Sequence, residues 1–230
     1  MDALKRRTNV LIYGIFAGAA IALGGFLFIL STAFINADSI IEGKLVGSLL
    51  FPVGLLLVLY LKLNLYTGKI GMAFRNKNLD KKGLNVFEWL LWILIGNAIG
   101  AFIVGLIAFL IMKLTPGSLF ETSVLNAGRS RVMEFSFKEI FKMFYKSILC
   151  GALVYISVYL FNKAKYNYEK VIGVIVPISF FVYAGFQHCV ANMFYLAASG
   201  LWNINFIVGL LICIIGNSVG AILLDLFVKY

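Results

Sequence analysis

Residues Phe181–Tyr195 read FVYAGFQHCVANMFY, and they place His188, the one histidine of the chain, inside an apolar run long enough to cross a membrane. The interior of a bilayer cannot satisfy a hydrogen-bonding group, so an imidazole at that depth faces protein or a water-filled cavity. Two interpretations follow: a functional group in a pore, or a structural histidine bonded to a neighbouring helix. The rest of the sequence favours the first.

The composition is that of an integral membrane protein. Hydrophobic residues make up 62% of the 230 residues and charged residues only 13%, whereas soluble domains have about 25% charged residues. No segment shows the alternating pattern of an outer-membrane strand, so a helical bundle is predicted. The net charge of +10 indicates topology and attraction to anionic lipid or anionic solutes. No basic segment is expected to be interleaved with exposed aromatic residues, so no nucleic-acid partner is expected.

Six apolar segments are predicted to be membrane-spanning helices. The second contains Pro52, Asn64, Gly68 and two lysines, so we expect a helix broken around residues 64–68. Alternatively, those lysines lie near a helix end and reach the interface along their alkyl chains. The fifth segment contains the histidine. The six segments span residues 11–34, 44–74, 87–111, 138–161, 171–195 and 206–228.

Lysine and arginine counts favour cytoplasmic N- and C-termini, as expected for an inner-membrane protein. The first turns of the fourth helix place Lys138, Lys142 and Lys146 on one face. These lysines would lie outside, together with four other basic residues: Lys44, Lys113, Arg129 and Arg131. This positive charge on the outside is either an exception to the positive-inside rule without functional meaning or a basic vestibule that concentrates anions, and we favour the vestibule. The inside segments would be residues 5–7, 75–82 and 163–170.

Two short motifs indicate an internal repeat. IGNAIGA at residues 95–101 is nearly identical to IGNSVGA at residues 215–221. A single transmembrane domain, residues 1–230, then divides into halves of three helices, approximately residues 1–115 and 130–230. Because three crossings is an odd number, the second half enters the membrane in the opposite orientation. An inverted repeat is therefore predicted.

The broken helices occupy matching places in the two halves. YTGKIGM at residues 66–72 aligns with QHCVANM at residues 187–193, which sets Thr67 opposite His188. Paired broken helices of this kind mark a binding or permeation site near the midplane. The half-helices that resume after each break present free N–H groups and positive dipole ends, which favour an anion. His188 can donate a hydrogen bond or a proton there.

Bulky side chains suited to hydrophobic constrictions surround both breaks, although lipid contact or core packing is the alternative for each. The three cysteines lie in apolar segments without CxxC spacing, so we expect neither a disulfide nor a metal site, and no cofactor is indicated. A single histidine without an acidic pair or a nucleophile motif argues against an enzyme. The bulky side chains are Phe51, Leu55, Leu65, Tyr66, Phe181 and Phe186.

At these residues the chain resembles the formate/nitrite transporter family. GFQHCVANMF at residues 185–194 is close to the family signature Gly-Phe-Glu-His-Ser-Val-Ala-Asn-Met-Phe, and LYTGK at residues 65–69 is close to Leu-Phe-Thr-Gly-Asn. The resemblance implies an all-α, aquaporin-like protomer with six transmembrane helices and broken second and fifth helices. It also implies a homopentamer in which each protomer has its own pore for formate, nitrite or hydrosulfide.

The resemblance also implies roles for single residues. His188 would be the central pore histidine and Thr67 its hydroxyl partner, with Asn192 beside the pore. Lys138 would be the outer vestibule lysine. Tyr66 would be among the pore residues. Leu55 and Leu65 would form the constriction on the cytoplasmic side, and Phe51 and Phe181 would form the one on the outer side.

Three positions depart from the family pattern: Gln187 and Asn64 replace acidic residues, and Gly151 replaces an asparagine. The loss of two carboxylates makes the pore more electropositive and changes the hydrogen bonding around His188. A hydrosulfide-type or broader anion selectivity therefore stays open.

The predicted function is a homopentameric inner-membrane channel or proton-linked carrier for small anions of weak acids, in contact with membrane lipid. The alternative is a pore for neutral small solutes of the water or glycerol type, which also has inverted repeats with broken helices. The absence of paired Asn-Pro-Ala motifs and the presence of His188 at the break argue against that alternative.

Overall fold

The structure, a computed structural model, describes residues 3–35, 40–74, 81 and 83–228, and every regular element in these ranges is a helix. Four helices are long: α1 (Ala3–Phe34), α5 (Val86–Leu114), α7 (Phe137–Lys163) and α10 (Ile204–Phe227). The shorter ones are α2 (Ile40–Leu50), α3 (Val53–Tyr60), α4 (Tyr66–Lys69), α6 (Leu119–Arg129), α8 (Asn167–Tyr183) and α9 (Cys189–Ser199).

Five stretches within the described ranges are long and apolar enough to cross a membrane. The predicted fifth segment is instead divided, since α8 ends at Tyr183 and α9 begins at Cys189. The basic residues Arg75, Lys77 and Lys82, on which the predicted orientation partly depends, lie outside the described residues. The five stretches are Leu4–Phe34, Glu42–Tyr60, Val86–Leu114, Phe137–Lys163 and Ile204–Phe227.

Helix α6 corrects the prediction of an irregular loop between the third and fourth helices. Ser118 begins it, because the Ser118 hydroxyl accepts a hydrogen bond from the Glu121 N–H at 3.1 Å. Its buried side, which includes Phe120 and Val124, packs against α1 and α9. Pro116 and Gly117 precede the cap, so the turn signals that suggested a loop mark only the start of the helix.

Backbone contact at glycine holds α1 against α5 and α7 against α10. A Cβ atom on Gly18 would lie 2.0 Å from the carbonyl oxygen of Asn97, and one on Gly151 would lie 2.1 Å from that of Asn217. No side chain fits at such distances, so glycine is required at both positions. A Cβ atom on either of two glycines of the partner helices would also lie too close to a backbone carbonyl oxygen: Gly100 and Gly220.

Asn97, in the first of the repeated motifs, connects three segments of the first half. Its Oδ1 accepts a hydrogen bond from the Tyr66 N–H at 2.8 Å, at the start of α4. Its Nδ2 donates to the carbonyl oxygens of Gly14 on α1 and Asn64 before α4, both at 2.8 Å. One buried amide therefore satisfies the backbone where the chain is not helical.

Asn217, in the second motif, makes the same three kinds of bond. Its Oδ1 accepts from the Cys189 N–H at 2.9 Å, and its Nδ2 donates to the carbonyl oxygens of Ser147 and Gln187, both at 2.8 Å. The start of α9 is thus held against α7 and α10 as the start of α4 is held against α1 and α5.

These matching bonds correct the predicted alignment of the two breaks. Asn97 binds the N–H of Tyr66 and Asn217 binds that of Cys189, so Tyr66 corresponds to Cys189. The residue that precedes α4 is Leu65, and the residue that precedes α9 is His188. The pairing of Thr67 with His188 in the sequence alignment is therefore wrong by two residues, although the two side chains do meet in space.

Asn217→Leu is expected to destabilise the fold without changing side-chain size much. The variant leaves the Cys189 N–H without a partner, at about 1–3 kcal/mol for an unsatisfied group, and removes one of the bonds to each of two buried carbonyl groups. Thermal unfolding of the purified protein in detergent measures this, with Ile215→Leu on the exposed face of α10 as the matched control. Equal melting temperatures of the two variants would contradict the structural role of Asn217.

Candidate functional site

His188 precedes α9 and fixes the start of that helix. Its backbone is extended, with φ −109° and ψ 119°, and its Nδ1 accepts a hydrogen bond from the Ala191 N–H at 3.1 Å. Its other ring nitrogen, Nε2, lies 3.0 Å from the Thr67 hydroxyl oxygen. Both side chains are buried. The ring is therefore held at both nitrogens between the two interrupted segments.

The hydrogen bonds define which nitrogen carries the proton. A backbone N–H can only donate, so Nδ1 is an acceptor, and the proton of the neutral ring is on Nε2, which donates to Thr67. A second proton on Nδ1 would break the bond to Ala191 and place a positive charge at the N-terminus of α9, where the helix dipole disfavours it. The geometry therefore supports neutral His188 with an N–H directed at Thr67.

Two phenylalanine rings lie beside the histidine. Phe51 and Phe181 meet edge to face with their ring centroids 5.8 Å apart, and the Phe181 ring stacks on the His188 ring at 6.0 Å with an interplanar angle of 22°. Phe51 lies at the turn between α2 and α3, and Phe181 lies in the last turn of α8. The end of α8 thus brings an apolar ring against the imidazole.

A cavity of about 610 Å³ opens on one side of this group. His188, Phe51 and Phe181 line it, together with residues of α1, α2, α6, α7 and α9. Its walls are mostly apolar or neutral, and no Asp or Glu is among the lining residues. Three cations line it: Lys44, Arg131 and Lys146. The cavity is therefore a positively charged space that ends at a neutral histidine.

Arg131 is fixed in place inside this cavity. Its Nε donates to the Asn192 Oδ1 at 3.1 Å, and its guanidinium lies 3.6 Å from the centroid of the Tyr195 ring. It also donates to the Ala127 carbonyl oxygen and the Ser130 hydroxyl. Burial lowers the pKa of Arg131 from its ordinary value, but an arginine starts so high that it remains a cation at neutral pH.

Asn192 connects Arg131 to Gln187, the residue that replaces the family's acid. Its Nδ2 donates to the Gln187 Oε1 at 3.0 Å, and its backbone N–H donates to the His188 carbonyl oxygen at 2.8 Å. Asn192 is buried, so its amide has no freedom to turn towards solvent. The three side chains form a continuous hydrogen-bonded chain along the cavity wall.

The structure brings together half of the predicted pore residues at this cavity. Thr67 is buried behind His188, and Tyr66 is buried with its hydroxyl 2.8 Å from that of Ser218. Leu55 and Leu65 are buried and do not line the cavity. The predicted residues that do line it are Phe51, Phe181, Gln187, His188 and Asn192.

Lys138 is exposed on α7 and does not line the cavity, so the cations found there differ from the predicted one. Lys146, the last lysine of the predicted row, lies two turns further along α7 and does line it. The spacing of the three lysines indicated a basic face on α7, but which of these lysines reaches the cavity depends on how α7 packs. Arg131 and Lys44 belong to the basic segments predicted to lie outside, but nothing in the sequence distinguished them from Lys113 and Arg129, which do not line the cavity.

Comparisons with known proteins agree on one family. The sequence model of the family described as "Formate/nitrite transporter" matches residues 2–230. The transporter YrhG of Bacillus subtilis is 33% identical over 221 residues, which cover 92% of this chain and 80% of that protein. The formate channel FocA of Haemophilus influenzae is 30% identical over 195 residues, which cover 84% of this chain and 66% of that protein.

Two solved structures share the fold. A pentameric formate channel with formate bound superposes with a TM-score of 0.80 at 24% identity, and covers 96% of this chain and 94% of its own. An FNT family ion channel superposes with a TM-score of 0.72 at 19% identity, and covers 96% and 92%. The family match confirms the predicted resemblance and the prediction that the protein is not an enzyme. The chain belongs to the formate/nitrite transporter family of multi-pass membrane transporters and channels.

Proposed function

We propose that the protein conducts small monovalent anions of weak acids, namely formate, nitrite or hydrosulfide, through a pore centred on His188. The observation that carries this proposal is the cavity with three cations that ends at the buried His188–Thr67 pair. Positive charge in a cleft with apolar walls raises the local concentration of anions. FocA and the solved pentameric channel are both described as formate channels, which agrees with this substrate class.

The proposed architecture has six membrane crossings in two inverted halves, residues 1–115 and 130–230. Here α2 to α4 form the broken second crossing, and α8 with α9 form the broken fifth. The matching hydrogen bonds of Asn97 and Asn217 support this symmetry, because each fixes the start of a short helix against two long ones. Cytoplasmic termini, an inner-membrane location and an aquaporin-like arrangement are part of the same proposal.

The proposed assembly is a homopentamer with one pore in each subunit, as the description of the solved formate channel states for that protein. The outer faces of the long helices carry many exposed apolar side chains, which would contact lipid or a neighbouring subunit. Examples are Phe16, Phe87, Leu110 and Leu226, each at least 60% exposed in the single subunit.

The proposed path of an anion has three stages. Lys44, Lys146 and Arg131 attract it, and Phe51 and Phe181 remove water from it. The Nε2–H of His188, which would exchange its bond to the Thr67 hydroxyl for one to the anion, compensates for part of the lost hydration. Leu55 and Leu65, which are buried and do not line the cavity, would form the inner constriction beyond the histidine.

We infer that His188 donates a hydrogen bond rather than its proton. The single proton of the neutral ring is on Nε2, and its transfer to an anion would leave an imidazolate, which is unstable at neutral pH. A neutral acid that crosses the pore would therefore receive its proton from water in the cavity. The histidine would lower the free-energy cost of dehydrating the anion while the anion is in the cavity.

His188→Phe is expected to reduce formate and nitrite flux by about tenfold or more, because a buried anion loses a hydrogen-bond donor. Uptake into proteoliposomes that contain the purified protein measures this at two pH values. Cys189→Ser, at the next buried position, is the matched control and should keep most of the flux.

Unchanged anion flux and pH dependence in His188→Phe would remove the histidine from the mechanism. Osmotic swelling of the wild-type vesicles in glycerol, without any anion flux, would instead support the neutral-solute alternative.

Lys146→Gln is expected to raise the half-saturating anion concentration several-fold at low ionic strength, and much less at high ionic strength, because salt screens the attraction. Lys142→Gln removes the same charge from α7 outside the cavity, where Lys142 pairs with Glu139 at 3.2 Å, and should change uptake little. Equal effects of the two substitutions would show that the cavity charge does not attract the anion.

A further inference from the structure

Gln187 stands where the family resemblance places an acid, and its amide faces the cavity beside His188. An amide has one end that donates hydrogen bonds and one that accepts them, so its orientation decides what an anion meets. The neighbours of Gln187 determine that orientation.

Arg131 is the first of these neighbours, and it has donors only. Its Nε donates to Asn192, so the oxygen of the Asn192 amide must point towards Arg131. The Nδ2 of Asn192 then points the other way and donates to the Gln187 Oε1 at 3.0 Å. Because each step depends on the one before, Arg131 sets the orientation of both amides.

The remaining end of Gln187 is its Nε2, which carries two N–H donors. Among the described residues, only Ser179 has a sealed side-chain polar atom without a hydrogen-bond partner. The Gln187 Nε2, which has no protein partner, is therefore open, and Gln187 is part of the cavity wall. Its N–H groups are available to a molecule inside the cavity.

We propose that Arg131 is a positioning residue that acts through Asn192 to direct the N–H groups of Gln187 into the cavity, where they bind an oxygen of an oxyanion substrate. This rests on the proposed anion pore and deepens it, because it favours formate and nitrite over hydrosulfide. Carboxylate and nitrite oxygens are strong, directional acceptors, whereas sulfur is a weak one. An acid at position 187 would instead present an acceptor to the same anion.

A simpler role for Arg131 is attraction by its charge alone. That role predicts equal losses for all monovalent anions, since Coulombic attraction does not depend on which atom accepts a hydrogen bond. The positioning role predicts a loss for oxyanions specifically. Lys146 provides the comparison, because it lines the same cavity and carries the same charge without any bond to Asn192 or Gln187.

The test uses purified full-length protein in proteoliposomes at pH 8, with uptake of radiolabelled formate and competition by unlabelled formate or hydrosulfide. The measured quantity is the ratio of the two inhibitory concentrations, hydrosulfide over formate. Wild type should show a high ratio, and Arg131→Met and Gln187→Leu should each lower it by about tenfold, as expected for one lost hydrogen bond to a charged group. The double variant should lower the ratio no further.

Asn192→Leu provides a second route if Arg131→Met does not assemble, because it keeps the arginine and breaks the connection to Gln187. It should lower the ratio as Arg131→Met does, whereas Lys146→Met should weaken both competitors equally and leave the ratio unchanged. If wild type shows formate uptake but the ratio is the same in the Arg131, Asn192 and Gln187 variants, the positioning role is overturned. No formate, nitrite or hydrosulfide uptake by wild type would overturn the proposed anion pore itself.

Discussion

The hydrocarbon interior of a bilayer offers no hydrogen bonds, and this constraint governs every interruption of a helix in the protein. Wherever the chain leaves helical geometry, its N–H and C=O groups need partners within the protein. Asn97 and Asn217 supply them, with three bonds each, at the starts of α4 and α9. The glycine contacts that bring α1 against α5 and α7 against α10 place each amide within reach of those backbone groups.

Because the backbone groups are satisfied, side chains at the interruptions can contact one another. His188 both caps a helix and makes such a contact, since its Nδ1 accepts a bond from the first turn of α9 while its Nε2 meets Thr67. This double engagement keeps the ring neutral and fixed, with its one N–H directed at Thr67. The three cations lie in the cavity wall, and in the proposed function they attract an anion from there.

Much of the fold was predictable from the sequence, because apolar length, Pro52 and the IGN motifs each follow from a local physical requirement. Helix α6 was missed because a short amphipathic helix has little apolar length, and its turn residues suggested a loop. The pairing of the two breaks was wrong by two residues because it relied on the match of Met72 with Met193, whereas the helix starts correspond as the bonds of Asn97 and Asn217 show. At the site, the chemistry of His188 and Gln187 was visible, but Arg131 and Lys44 reach the cavity only through packing.

The matching bonds of Asn97 and Asn217 make Leu65 the counterpart of His188, so two helix starts that are held in the same way differ in chemistry. Both residues have the same extended backbone before a short helix, yet one presents an alkyl group and the other an imidazole. In the proposed pore, a solute that arrives from the cavity would reach the imidazole first, whereas one that arrives from the opposite side would reach a hydrocarbon surface first. The rates at which the solute enters the site from the two sides would then differ, while the equilibrium distribution of the solute across the membrane would not depend on direction.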